Sequence, residues 1–416
     1  LKADSERIVI TGIGVVSPIG IGRDAYWQGL KEGRSGIKPV TLFDTSNTRS
    51  KLAGEITDFN PEEILGEKGL RNLDRTTKLA LCAAKLAIDD AKFEINEKNT
   101  HQIGVVLGST MGSIRSISEF DKEALTNGPR SVNPALFPNT VINSPASQIS
   151  IRFGIKGFNT TISTGFTSSI EALEYASNFI RLGRAQAVLV GGVEELCEQV
   201  FKGFYKLGFL AGSKKINSSE ISSPFDRRRN GAILGEGSSI FMIESLKSAL
   251  ARGATIYGEI LSTASAFDRD GYQRYNPKGE GLKKALVRAL KFSQTDPSQI
   301  QYVASGGNSS LDGDCAEARA LTAILGNRKG RLMVSASKSM IGETFSAGGA
   351  FQLAAGLMTL SDRVVHPTIN FLDKDRRCEI DCVPNLAREE DVDNALVSCG
   401  SPTGSNSVLM LARYSG

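Results

Sequence analysis

The stretch Thr160-Thr161-Ile162-Ser163-Thr164-Gly165-Phe166-Thr167-Ser168-Ser169 starts as a short β-branched run, breaks at a glycine and passes into small residues that open a helical pattern. It reads as a strand over 160–164, a tight turn, and a helix over 168–181. The same alternation extends in both directions. Short apolar runs bounded by turn residues predict buried strands at 7–13, 103–107, 187–190 and 239–244, then at 256–262, 302–304, 331–335, 395–399 and 407–412. Helical patterns cover 77–91 and 281–290 as well. Glycine, at 43 residues, gathers where the apolar runs end. Strands alternating with helices predict an α/β protein in which helices cover buried sheets. The order of elements repeats once, with a seam near 246–253 and no low-complexity linker. The expectation is one duplicated unit with halves 1–246 and 247–416.

The chain has 416 residues, which suits two or three domains or one large duplicated one. A hydrophobic content of 40% with 23% charged residues excludes a disordered chain. Lys and Arg number 49 against 45 Asp and Glu, and the resulting +4 is too mild to argue for nucleic acid. Histidine restricts the chemistry most, because any histidine base, ligand or proton shuttle must be His101 or His366. His101 lies in a polar loop and His366 precedes Pro367, so both read as surface or loop residues. The six cysteines (Cys82, Cys197, Cys315, Cys378, Cys382, Cys399) show no disulfide framework. The CxxxC of Cys378 and Cys382 lacks a second pair, so no metal site is expected, and no cofactor motif stands out. This usage fits a reducing cytoplasm, and the polar start LKADSERIVITGIG reads as having no secretory leader. The longest uncharged stretch, 344–361, carries three glycines and several polar residues, so it reads as a buried helix and not a membrane span.

Several motifs point elsewhere and fail on inspection. Gly12-Ile13-Gly14 follows a strand as a dinucleotide fingerprint does, but the third glycine is missing and Pro18 stands where the helix should begin. No GxxxxGK[ST] occurs. Gly108-Ser109-Thr110-Met111-Gly112 puts its serine one place away from a nucleophile elbow. Arg227-Arg228-Arg229 reads as a solvated turn before it reads as a partner-docking patch.

Four segments far apart in the chain together resemble the β-ketoacyl synthases of fatty acid and polyketide assembly. The first is the opening stretch around Phe166, similar to that family's nucleophile turn. The second runs from Ser223-Pro224-Phe225-Asp226 to Gly231-Ala232-Ile233-Leu234-Gly235-Glu236-Gly237 and resembles the PFD…GxxxGEG segment. The third is Ser305-Gly306-Gly307-Asn308-Ser309-Ser310-Leu311-Asp312-Gly313-Asp314-Cys315-Ala316-Glu317, and the fourth Ser337-Lys338-Ser339-Met340-Ile341-Gly342-Glu343. With ITGIGVVSPIG at the start they span essentially the whole chain. The resemblance implies the thiolase-like fold, with two duplicated halves in five αβαβα layers, and a dimer.

In that family a cysteine at a helix N-terminus attacks the acyl thioester, favoured there by the dipole and exposed amides. Two histidines from the third and fourth segments act on the extender unit. The resemblance places Phe166 at the cysteine, Gly306 at the first histidine and Glu343 at the second. An aromatic ring forms no thioester, glycine has no side chain, and an ionised Glu343 opposes an enolate. The family's GFGGTN turn corresponds to Ser401-Pro402-Thr403-Gly404-Ser405-Asn406, which puts Pro402, without an N–H, at the oxyanion donor. Lys338 and Glu317 are retained and are expected to form a structural ion pair or network. Thr164, Thr167 and Ser168 flank the turn, but a hydroxyl needs an adjacent base and neither histidine falls in these segments.

A ketosynthase fold without this chemistry resembles the chain length factor, or ketosynthase β subunit, of type II polyketide synthases. That implies a heterodimer with a catalytic ketosynthase, an acyl carrier protein bearing a phosphopantetheine-bound chain, and no independent activity. It implies no nucleic acid and no membrane partner. Chain length factors usually carry glutamine at the cysteine position, and Phe166 departs from that. Their tunnel gate maps onto Ser113, Ser116 and Phe120, spaced i, i+3 and i+7 so as to share one helical face. Small, small and large residues there imply a tunnel open early and closed deeper. The plainer reading has the serines begin a helix and Phe120 enter the core. The segment 133–148 matches the family's dimer contact, where Phe137 is expected to reach the partner. Two other readings are an active condensing enzyme rebuilt around Lys338 and Glu343, and an inactive partner in an aryl-polyene-type synthase.

Overall fold

Every residue of Ile8–Ser17 (β1) is buried, as its apolar run requires of a strand covered on both faces. Gly12 and Gly14 let a helix lie directly on it. A Cβ there would sit 2.3 Å from the Ala87 carbonyl oxygen and 1.9 Å from that of Ala83. Both alanines belong to Arg75–Ala91 (α1), whose first turn is capped by Asp74 accepting from the Thr77 N–H. The Gly-x-Gly pair therefore serves helix-on-strand packing. The computed structural model describes residues 3–214, 218–269, 274–326 and 332–416.

The first half continues with Ile103–Gly108 (β2), Asn159–Ile162 (β3), Ala187–Glu194 (β4) and Gly237–Ser245 (β5). The second contains Gly258–Phe267 (β6), Tyr302–Ala304 (β7), Met333–Ser335 (β8), Asn394–Gly400 (β9) and Ser405–Ala412 (β10). Each lies on a segment expected to be a strand; Arg331, at the start of one such segment, lies outside the described residues. They join in the order β8-β7-β9-β10-β6-β1-β5-β4-β2-β3. From β1 outward the pairings are antiparallel to β5, antiparallel to β4, parallel to β2 and parallel to β3. From β6 outward the same senses recur through β10, β9, β7 and β8. The duplication is strand for strand, and β1 meets β6 antiparallel from Ile8↔Ile260 to Ile10↔Gly258.

The remaining helices include Ile114–Asn127 (α2), Ser168–Arg181 (α3), Glu280–Ser293 (α4), Leu311–Leu325 (α5) and Gly348–Asp362 (α6). Leu173 and Ala176 of α3 share one core with Phe351 and Leu357 of α6 and with strand residues of both halves, such as Val190 and Val397. α1 covers the outer face of the first half-sheet, and α4 and α5 that of the second. The result is the expected five layers. It also explains the uncharged stretch: Gly348 to Leu360 of α6 is buried throughout, because α6 lies in the central layer. Among the described residues no helix is long and apolar enough to cross a membrane.

Two expectations are corrected. His366 is not a surface residue but fully buried, edge-on to Tyr302 at 6.3 Å between ring centroids. Pro367 does hold an extended segment there, but that segment runs through the interior, where Ser335 Oγ donates to the His366 carbonyl. Burial lowers its pKa to about 4. The arginine triplet is not simply a solvated turn either. Arg227 and Arg228 face outward onto Asp373 and Asp226, whereas Arg229 turns inward onto Asp375 at 2.8 Å. It is buried because a tight Asp226-to-Arg229 turn reverses its direction.

Candidate functional site

After β3 the chain turns through the 3-10 segment Gly165–Thr167 directly into α3. Gly165 takes φ +79°, which a side chain adopts only with strain. Ser168 locks the turn, its Oγ accepting from the Thr164 N–H at 3.0 Å and donating to the Gly165 carbonyl at 2.6 Å. Phe166, 4% exposed, points into an aromatic cluster. Its ring lies edge-on to Phe345 at 5.0 Å and to Phe209 at 6.2 Å, and Phe345 stacks on Phe204 at 4.9 Å. The place at the start of α3 where a nucleophile would meet exposed amides holds a packed ring.

The loop after β7 carries Gly306. Glu317 on α5 fixes it, accepting from the Gly306 N–H and from Ser305 Oγ, both at 2.9 Å, and from Ser398 Oγ. Burial raises the Glu317 pKa against these hydrogen bonds. A Cβ on Gly306 would lie 2.8 Å from the Ser398 carbonyl oxygen, so a side chain there forces a shift. Lys338 opens the short helix Lys338–Ile341, and its Nζ lies 2.9 Å from Glu343 Oε2 and 3.3 Å from the Gly306 carbonyl. Glu343 also accepts from Asn308 Nδ2 at 2.7 Å and from the Phe345 N–H at 2.9 Å. Burial opposes the charge on Lys338, but the attraction and hydrogen bond of Glu343 prevail and its pKa is raised.

Phe166, Gly306, Glu343, Lys338 and Glu317 are thus brought into one continuous neighbourhood, linked through Phe345 and the Gly306 backbone. Of the ion pair or network expected for Lys338 and Glu317, the structure shows a network through the Gly306 backbone and not a direct pair. Lys338 bonds Glu343, and Glu317 holds the Ser305–Gly306 loop. The charge on Glu343 is matched locally, so this carboxylate and ammonium occupy each other instead of facing an open site.

The turn at 401–406 lies beside the same place, since a Cβ on Gly165 would be 3.3 Å from Thr403 Oγ1. Ser401 and Thr403 hydroxyls bond each other at 2.7 Å. Thr167 donates to Glu171 at 2.9 Å but is fully buried. His101 is exposed on the turn Thr100–Gln102, and His366 sits in the core beside Tyr302. A cavity of about 440 Å³ opens here, lined by Phe204, Phe209, Tyr275, Ser310, Pro402 and Thr403 among others.

A second cavity, of about 490 Å³, is lined by Ser116 and Phe120 of α2 together with Arg71, Asp74, Arg75, Arg115 and Glu195. Ser113 is not among its lining residues: it precedes α2 as the N-cap and is buried. Ser116 Oγ lies 3.4 Å from Asp74, and Phe120 is half-buried, 6.0 Å from Phe137. Phe137 is 56% exposed and neighbours the exposed Leu136, Val141 and Ile142 in the chain. Sequence reasoning missed Phe345, Phe204 and Phe209, which carry no spacing signal. It also missed Glu195, whose pKa burial and the nearby Asp74 raise to about 8. The consecutive Glu194 and Glu195 at the end of an apolar strand were the available cue.

Comparison with known proteins identifies the family and the fold. The Beta-ketoacyl synthase N-terminal domain matches residues 5–249 and its C-terminal domain residues 257–372. The chain belongs to the β-ketoacyl synthase family and has its thiolase-like fold. It is 33% identical over 410 residues to 3-oxoacyl-[acyl-carrier-protein] synthase 2 of Coxiella burnetii, covering 99% of each chain. It is 35% identical over 412 residues to the protein of that name from Synechocystis sp., again covering 99% of each. Among solved structures, the ishigamide ketosynthase/chain length factor aligns with a TM-score of 0.90 at 30% identity over 98% of this chain and 99% of that one. A type II polyketide synthase acyl carrier protein in complex with its ketosynthase bound to the hexaketide (AntDE:AntF) aligns equally well, at 0.90 and 27% identity, over 98% and 99%.

Proposed function

We propose that this chain is a non-condensing subunit, a chain length factor, that pairs with a catalytic β-ketoacyl synthase in the cytoplasm and helps set product length at their shared interface. One observation carries the reading: the Phe166 ring, packed on Phe345 at 5.0 Å, fills the start of α3, the position that the resemblance gives to the family's nucleophile. The empty Gly306 position and the mutual pairing of Lys338 and Glu343 support it. The named relatives are synthases, so family membership alone does not decide between condensing and non-condensing roles. The solved ketosynthase/chain length factor supports the partner kind. A condensing enzyme rebuilt around Lys338 and Glu343 gains no support, because those groups neutralise each other. An aryl-polyene-type partner is the same role toward a different product.

The test is co-expression with a cysteine-bearing ketosynthase and an acyl carrier protein. The expected result is a stable heterodimer, product only when both subunits are present, and no turnover of malonyl thioester by this chain alone. Condensation by the isolated chain overturns the proposal.

A further inference from the structure

We propose that Cys315 and Cys378 form a reversible two-thiol site that reacts with small disulfides, closing to an internal disulfide across α5 and the segment that carries Asp375.

Their sulfurs lie 3.7 Å apart although 63 residues separate them in the chain. The buried Arg229 guanidinium reaches both, with Nη2 at 3.0 Å from Cys315 Sγ and 3.6 Å from Cys378 Sγ, while its Nη1 bonds Asp375 at 2.8 Å. A permanent cation beside a thiol favours thiolate, the form that attacks a disulfide. The same cation argues against a metal ion, although Cys315, Asp375 and Cys378 are close enough to share one. Geometry also orders the pair. Cys315 is 5% exposed and Cys378 1%, so an incoming reagent meets Cys315 first and Cys378 resolves. The S–H of Cys378, with Arg229, holds the Cys315 thiol below its ordinary value, and Cys378 is correspondingly raised. The remaining cysteines contrast with Cys315. Cys82, Cys197, Cys382 and Cys399 are each pushed by burial up to about 12.

The chemistry balances as two exchanges. Cys315 thiolate attacks one sulfur of a small disulfide RSSR, so the Cys315–SR bond forms, the RS–SR bond breaks, and RS⁻ leaves to take up a proton. Cys378 then gives up its proton and attacks Cys315, the Cys315–Cys378 bond forms, and the second RS⁻ leaves. Two protein thiols lose two electrons and two protons, and RSSR is reduced to two RSH. Small thiols in excess reverse it.

Incubating the native chain with oxidised glutathione tests this by thiol titration, intact mass and non-reducing peptide mapping. The expected result is loss of two of the six thiols, one Cys315–Cys378 cross-link and a higher Tm that returns to the starting value with reduced glutathione. Cys378→Ser should stop at one glutathionyl adduct on Cys315. Brief alkylation of the unmodified native chain should label Cys315 before any other cysteine, a readout that needs no variant. A cross-link elsewhere, all six thiols remaining free, or zinc protecting both thiols from alkylation overturns the proposal.

Discussion

Lys338 Nζ lies 2.9 Å from Glu343 Oε2, five residues further along the chain, with both side chains buried. Taking two charges out of water is offset only while both partners stay, so removing one leaves an uncompensated buried charge. Lys338→Met is therefore expected to cost about 3–5 kcal/mol in urea unfolding. The double variant Lys338→Met, Glu343→Leu should recover much of that loss. Because the folded Lys338 pKa is raised, the pair's contribution is fully present below the ordinary lysine value and is lost only as pH rises through the folded value. A single variant as stable as the wild type, or a double variant worse than the single one, contradicts this view of the site.

Replacing the ring by the family's nucleophile tests whether one residue silenced the site. Phe166→Cys opens space between Phe345 and Phe209 and should cost about 3 kcal/mol, in line with other large-to-small core changes. It should not restore condensation of malonyl thioester, because Gly306 still lacks a side chain and Glu343 still holds Lys338. Turnover by Phe166→Cys alone above the buffer rate would show that the remaining machinery is intact.

His366 makes stability sensitive to acid. Its folded pKa is about 4 against an ordinary 6.5, so between those values the unfolded chain binds the extra proton. The His366 contribution is full above pH 6.5 and falls as pH drops toward 4, by about 3 kcal/mol. Glu194 and Glu195, raised by burial to about 7 and 8, act in the opposite sense, with stability lost as pH rises through those values. The informative measurement is the difference between wild type and His366→Gln in unfolding free energy from pH 4 to 7. That difference should change with pH below 6.5 and be flat above it; a flat difference throughout refutes the assignment.

The strands and central helices were legible because burial writes itself into sequence as apolar runs and glycine boundaries. β1 and α6 show this well. The order of elements also revealed the repeat, which the pairing senses of β1 and β6 express directly. Legibility failed where a side chain's environment is assembled from distant segments. His366 looked like a loop residue because its only local signal was Pro367, and its burial depends on Tyr302 and Ser335. Arg229 looked solvated beside two other arginines, and its burial depends on the Asp226-to-Arg229 turn and on the distant Asp314 and Asp375 that meet it inside. At the candidate site the sequence named Phe166, Gly306 and Glu343, and the fold brings these positions into one neighbourhood. That Glu343 would bond Lys338 and leave Glu317 to the Gly306 loop was not legible, because the positions at which α5 and the short helix at Lys338 present these side chains are set only by the fold.

The second cavity gives the length-setting reading its sharpest test. Ser113 is a buried N-cap, so enlarging it should disturb the start of α2 before it touches any chain. Ser116 and Phe120 line the cavity itself. In a system reconstituted with a catalytic ketosynthase and carrier protein, Ser116→Phe should shorten the product and Phe120→Ala should lengthen it, each by at least one extension unit, read by mass spectrometry. Phe120→Ala also loosens Phe137 at the exposed apolar run, so the heterodimer's co-purification must be measured alongside. If the complex stays intact and neither variant alters product length, α2 does not gate the chain, and length must be set by the catalytic partner.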